Sequence, residues 1–156
     1  MVRLVPLSED EFRSWLAQTV REYADEKVRA GNWPPDDALQ RSEQSYRELL
    51  PDGLSSKGQH LFSICDESLG ANVGVLWFAV SDHGSRPSAF VYDFVIFEPF
   101  RRRGYGIQAL CALEEKVKEL GIDTISLHVF GHNHAARALY EKMGYVVTNV
   151  NMSKSL

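Results

Sequence analysis

The chain has 156 residues, 44% of them hydrophobic and 24% charged, so residues 1–156 are expected to form one globular domain with a substantial core. A formal net charge of −4 argues against broad binding to nucleic acid, which needs clustered Lys and Arg to displace phosphate counterions. The longest apolar run, Val73 to Val80, is too short to span a bilayer, and no basic flank precedes an apolar segment at the N-terminus; a cytoplasmic protein without a membrane partner is expected.

Val2 to Pro6 can form a first strand. Ser8, with Glu11 three residues on, is a capping-box signature, and Phe12, Leu16, Val20 and Tyr23 then recur at helical spacing until Gly31-Asn32-Trp33-Pro34-Pro35 stops the helix. Asp36 can cap a second helix running to about Leu50, which Pro51-Asp52-Gly53 ends. Leu61, Phe62 and Ile64 begin a strand, Gly70-Ala71-Asn72 marks a turn, and Val73 to Val80 supplies an antiparallel partner. After a turn over Ser81 to Ser88, a strand covers Ala89 to Phe97. Leu110, Leu113, Val117 and Leu120 place a helix between Gly104 and the capping Gly121. Asp123 to Phe130 reads as a strand, Asn133 to Tyr145 as a short helix with its stop, and Val146 to Lys154 as a last extended segment. The order β-α-α-β-β-β-α-β-α-β fits an α/β mixed sheet with helices on both faces.

Chemistry concentrates in Arg101-Arg102-Arg103-Gly104-Tyr105-Gly106, which joins a strand to a helix N-terminus. Glycine admits close backbone approach, and the first helical turn leaves N–H groups without partners, so both favour an anion there. Three adjacent cations repel one another unless a multivalent anion relieves them, so a pyrophosphate explains the stretch better than a solvated charge run. Gly104-x-Gly106-x-x-Ala109 also satisfies a permissive dinucleotide fingerprint, but the loop from Phe97 is long and Asp123 precedes its strand instead of ending it.

An Arg-x-x-Gly-x-Gly loop followed by Asn133-x-x-Ala136-x-x-Leu139-Tyr140-Glu141-Lys142-x-Gly144-Tyr145 resembles the GCN5-related N-acetyltransferases, over roughly Val73 to Tyr145. The resemblance implies a mostly antiparallel sheet whose two central strands splay apart. It implies acetyl-CoA as cosubstrate, its pyrophosphate on the loop formed by Arg101, Arg102, Arg103, Gly104, Tyr105, Gly106 and Ile107. The pantetheine arm would lie along Phe94, Val95 and Ile96, with Asn133 and Tyr140 nearby. It implies an amine acceptor, small molecule or peptide, and no metal.

Tyr140 matches the family tyrosine near the coenzyme sulfur and is the candidate acid; its ring could equally serve only to shape the pocket. His128 stands five residues before Asn133, where some relatives carry a catalytic glutamate, and alternates with Leu127 and Val129; a structural histidine fits the same pattern. Asp93, among Tyr92, Phe94 and Val95, is the other possible base, and strand alternation sets it opposite Tyr92. His128, His132 and His134 lack metal-ligand spacing, and His132 and His134 are expected to be exposed neighbours of Asn133. Cys65 and Cys111 are read as free core thiols. Tyr23, Glu26, Trp33 and Tyr46 are candidate linings for an ammonium acceptor, or simply core and surface residues. Twelve residues after Gly144 barely hold a two-strand hairpin, so either the last strand is single or a partner chain, as in a homodimer, completes the sheet. A non-catalytic acyl-CoA-binding module is the alternative to an enzyme.

Overall fold

The apolar segments of the middle third become three adjacent antiparallel strands in the computed structural model, which describes residues 1–81 and 86–156. They are β2 (Gln59–Asp66), β3 (Ala71–Ser81) and β4 (Ser88–Ile96), flanked by β1 (Val2–Pro6) and β5 (Ile125–Leu127) in the order β1-β2-β3-β4-β5. The turn expected over 81–88 falls at 82–85 outside the described residues. Only β4 and β5 run parallel, which removes the doubly wound parallel sheet that a dinucleotide fold needs.

Four helices cover the sheet: α1 (Glu9–Arg29), α2 (Ala38–Leu49), α3 (Tyr105–Glu119) and α4 (His134–Lys142). Ser8 starts α1 as its spacing predicts, its hydroxyl accepting from the Glu11 amide at 3.2 Å. The reciprocal half of the capping box is missing, because the Glu11 carboxylate accepts from the buried Ser63 hydroxyl instead. For α2 the cap position moves from Asp36 to Asp37, whose carboxylate pairs with Arg41 at 2.9 Å and makes no cap bond.

The two sheet faces carry separate cores. Phe62, Ile64, Leu76 and Phe78 pack with Ala109, Leu110, Leu113 and Val117 of α3, and α4 adds Leu139, Tyr140 and Met143 at the margin. On the other face Leu61, Val75 and Trp77 meet Phe12, Trp15, Tyr46 and Leu50 from α1, α2 and the turn after it. Each fully buried leucine contributes about 1.5–3 kcal/mol. Neither cysteine is fully buried, and Cys111 is exposed on α3, so the core reading fails for it.

Two irregularities shape the β4 end. Val73 has no opposite residue on β2, and Tyr92 has none on β3, since Trp77 faces Asp93 and Phe78 faces Val91. Gly74 accepts the close approach that follows: a Cβ there would lie 2.1 Å from the Val95 carbonyl oxygen. The strand expected over 123–130 shrinks to Ile125–Leu127, pairing only with Ala89 to Val91. Beyond Val91, β4 runs on to Ile96 paired with β3 but with no strand on its β5 side among the described residues, so a notch opens between β4 and β5. The final segment, by contrast, pairs with no strand: Val146 to Lys154 carries no ladder, and Val146, Val150 and Met152 are largely exposed.

Candidate functional site

The chain leaves β4 through one turn of 3-10 helix, Glu98–Phe100, and swings into α3 through Arg101 to Gly104. Arg102 has φ +59° and Gly104 φ +82°, so two alternate residues turn left-handed. That alternation directs successive N–H groups to one side, forming a concavity suited to an anion. The amides from Arg102 to Ile107 make no backbone hydrogen bond among the described residues, and the first helical bond is Gln108 N–H to Gly104 O at 3.3 Å. Arg101, Arg102 and Arg103 are exposed and enter no ion pair among the described residues; Arg101 Nε donates to Ile96 O at 2.9 Å and ties the turn to the strand end. Gly106 serves packing: a Cβ there would stand 3.0 Å from Leu139 Cδ2, so the glycine seats α4 against α3.

Strand alternation alone puts Asp93 and Tyr92 on opposite faces, and the structure overturns this. The bulge at Tyr92 resets the alternation: Tyr92 stacks on Trp77 with centroids 4.7 Å apart, while Asp93 receives the Trp15 indole N–H at 2.7 Å, so both face α1. Burial pushes the Asp93 carboxyl up to about 6, the neighbouring charge of Glu22 adds to the rise, and the Trp15 hydrogen bond partly offsets it. Phe94 and Ile96 face α3 and α4, whereas Val95 packs toward α1.

Tyr140 comes to the notch from the other side. Its ring lies 6.3 Å from Phe94 and 5.6 Å from Tyr145, and burial raises its pKa well above the ordinary phenol value, with the charge of Asp93 adding to the effect. The two expected groups therefore sense each other across the end of β4. Asn133 stands where α4 begins, its side-chain oxygen accepting from Ala136 N–H at 3.2 Å, a helix cap that leaves its amide NH2 unengaged among the described residues. His128 is exposed beside Phe130; burial and the charge of Lys27 lower its pKa, so it is neutral near pH 7. His128 meets the edge of Phe130, which stacks on the His132 ring that pairs with Glu26 of α1, so it belongs to a row of rings on the α1 side. His132 departs from expectation, since it is partly buried and its ring nitrogen pairs with Glu26 of α1.

The residues suggested for an ammonium acceptor are already engaged within the chain. Lys27 places its own ammonium 5.6 Å from the Tyr23 ring and 5.4 Å from the Trp33 ring, Tyr46 is buried against Trp15 and Trp77, and Glu26 holds His132. What opens beside the β4 end is a groove of about 350 Å³ between α1 and the sheet. Trp15, Gln18 and Glu22 line it from α1, and Val75, Val95 and Phe97 from the strands, with Asp10 and Glu11 at one end. Sequence reasoning missed Trp15 and Glu22 as site residues. The available signal was an indole with a polar N–H on the apolar stripe of α1, but its acceptor lies 78 positions away.

The model of the acetyltransferase (GNAT) family matches residues 13–145. YycN of Bacillus subtilis (strain 168), described as an uncharacterised N-acetyltransferase, is 44% identical over 155 residues, 99% of each chain. YdgE of the same organism, described in the same words, is 35% identical over 153 residues, 98% of this chain and 97% of its own. The crystal structure of YycN matches with a TM-score of 0.95, covering 100% of this chain and 99% of that one.

Proposed function

The chain belongs to the acetyltransferase (GNAT) family and is an acyltransferase, and from that premise we propose that it moves an acetyl group from acetyl-CoA to a primary amine by direct attack on the thioester. The observation that carries this reading is the turn from Arg102 to Ile107, with six consecutive amides that have no backbone partner among the described residues, beside three exposed arginines, opening onto the end of β4. A diphosphate fits that donor set: no side chain from Arg102 to Ile107 is anionic, and the space beyond the Gly104 Cα is open to a ligand.

Acetyl-CoA, when bound, would supply an activated acyl group on a thiol leaving group. The amides of Arg102 to Ile107, with Arg101 and Arg103, would hold its pyrophosphate. Phe94 to Ile96, paired with β3 on one side, would offer their other side to its arm, where β5 pairs only with Ala89 to Val91. The Asn133 amide NH2, unengaged among the described residues, would be available to the same arm.

The chain's own residues then handle protons. A lysine-like amine with pKa ~10.4 is almost wholly protonated at neutral pH, a shortfall of roughly 4–5 kcal/mol in nucleophile availability. Asp93, pushed up to about 6, is mostly ionised near pH 7 yet basic enough to accept that proton, directly or through water. Trp15 fixes the carboxylate's orientation. Tyr140 keeps its phenolic proton throughout the physiological range and is the donor for the departing sulfur. The groove beside Trp15 and Glu22 is the approach for the acceptor, and its carboxylates favour a cation. His128, neutral and exposed, is the second candidate for the base.

Calorimetry with acetyl-CoA, followed by a thiol-release assay over a panel of amines, tests the proposal. Saturable binding and turnover on a cationic amine are expected; binding without turnover on any amine would leave a coenzyme-binding module, and no binding would remove the assignment of the turn.

A further inference from the structure

The turn from Arg102 to Ile107 is not held by its own main chain. Its amides make no backbone hydrogen bond among the described residues, Arg102 and Gly104 both have left-handed φ, and a Cβ at Gly104 would meet nothing within 4 Å. A segment with so few restraints can swing, and a swinging turn cannot present its donors together to one anion. Its fixing must come from side chains at its two ends. At the entrance Arg101 Nε donates to Ile96 O at 2.9 Å. At the exit the Tyr105 hydroxyl donates to Asp66 Oδ2 at 2.5 Å, across 39 positions of sequence.

The exit tether is built below the surface. Tyr105 is 8% exposed and belongs to the α3-side core, its ring meeting Phe100 edge-on with centroids 6.2 Å apart. Asp66, 5% exposed, ends β2 and divides its two oxygens between two tasks. Oδ1 accepts from the Ser68 N–H at 2.7 Å, the Ser68 hydroxyl at 2.6 Å and the Leu69 N–H at 3.2 Å, which fixes the turn into β3. Oδ2 is left for Tyr105. The Ser68 and Tyr105 hydroxyls hold the carboxyl well below the usual carboxylate range, so it is ionised at neutral pH and its bond to the phenol is charge-assisted. Phenylalanine would fill the same space, so packing alone does not call for the hydroxyl. A buried polar pair with both partners satisfied fixes one geometry, because any other arrangement strands a donor or a charge.

We propose that Asp66 and Tyr105 are a positioning pair that presets the amide turn for the coenzyme diphosphate. The inference rests on the reading of that turn as the diphosphate site. Tyr105 stands between Gly104 and Gly106, so its amide belongs to the donor set while its side chain is anchored to the end of β2. Gly106 completes the hold, since Leu139 Cδ2 lies 3.0 Å from where its Cβ would stand. The pair acts through the main chain and not on the reacting atoms. Its effect should therefore be felt by a donor that carries a diphosphate and not by one that lacks it.

Titration calorimetry and initial rates on the full chain test the pair. Tyr105→Phe keeps the ring and removes the tether; if the competent turn falls to about a tenth of the population, the acetyl-CoA Kd rises ~10-fold. The KM for acetyl-CoA should rise with it, with kcat at saturation little changed. With acetyl-pantetheine, which carries the thioester but no diphosphate, the loss should shrink toward none, whereas a loosened core would slow both donors. Asp66→Asn should weaken acetyl-CoA in the same direction, and the double variant should be no worse than the worse single one. Should Tyr105→Phe not fold, backbone chemical shifts of the unaltered chain still decide: Arg102 and Gly104 must report left-handed torsion before coenzyme is added, and torsion that appears only on binding overturns the inference. An unaltered chain that does not bind acetyl-CoA removes the reading of the turn, and this inference with it. Undiminished affinity in Tyr105→Phe, an equal loss with acetyl-pantetheine, or additive losses in the double variant overturn the pair alone.

Discussion

Trp15 and Asp93, 78 positions apart in sequence, meet through an indole N–H donated to a carboxylate oxygen at 2.7 Å. The contact joins the first helix to the end of the strand that borders the notch, and it holds a carboxyl whose pKa burial brings to about 6. Four predictions start from this pair and its surroundings.

If Asp93 accepts the proton, kcat/KM should rise with pH along a limb centred near 6, and Asp93→Asn should abolish that limb while lowering turnover ~10²–10⁴-fold. Stability moves the other way. The folded state raises this pKa, so it favours the protonated acid: the favourable contribution is complete below the ordinary carboxylate range and disappears as pH climbs through about 6. Asp93→Asn should therefore stabilise the protein by roughly 2–3 kcal/mol at pH 8, with the gain vanishing toward pH 4. Urea titrations at the two pH values measure it.

Trp15→Phe keeps most of the packing against Trp77 and Tyr46 but removes the donor. Because the hydrogen bond lowers the Asp93 pKa, its loss should move the acid limb of the activity profile to higher pH. A variant with reduced kcat and an unmoved limb would show that Trp15 acts only as core.

Tyr140→Phe should reduce kcat with little change in acetyl-CoA affinity, since the ring still packs on Phe94 and Tyr145. Unchanged turnover would remove the acid role and leave the residue as a wall of the pocket.

Two glycines separate ligand binding from folding. Gly104 has φ +82° and open space beyond its Cα, so Gly104→Asn, which tolerates the left-handed region, should keep the fold and much of the coenzyme affinity, whereas Gly104→Asp adds a charge facing the diphosphate and should abolish binding. Gly74→Ala is the opposite case. Its Cβ would stand 2.1 Å from a backbone oxygen that cannot rotate away, so the variant should lose at least about 1–3 kcal/mol in denaturant melts whether or not coenzyme is present.

Local signals in the sequence reached far into this fold. The Ser8 cap, the apolar stripe of α3 and the β-branched and aromatic run of β3 are decided by neighbours a few positions away and form where expected, although β3 already begins at Ala71, inside the expected turn. The turn at Gly104 was legible for the same reason: left-handed backbone and free amides need only the residues of the turn. What stayed hidden was set at long range. The stretch from Ala89 to Ile96 reads as an unbroken strand, and only its register against β3 makes Tyr92 an extra residue and turns Asp93 toward α1. Likewise Tyr23 and Trp33 look available in sequence, yet Lys27 occupies their faces, and Glu26 is spent on His132. The tail showed a strand pattern without showing what it would pair with.

The unpaired residue at position 92 divides β4 into two stretches that answer to different demands. Ala89 and Val91 are locked to the interior and to β5, while Asp93 to Ile96 border the notch with no strand on that side. Substitutions beyond the irregularity can thus retune what the cleft accepts while the hairpin stays in step. Removing Tyr92 altogether would leave Val91 opposite Phe78 and Asp93 opposite Trp77 in plain alternation, so the carboxyl should keep its indole while the ring stacked on Trp77 is lost.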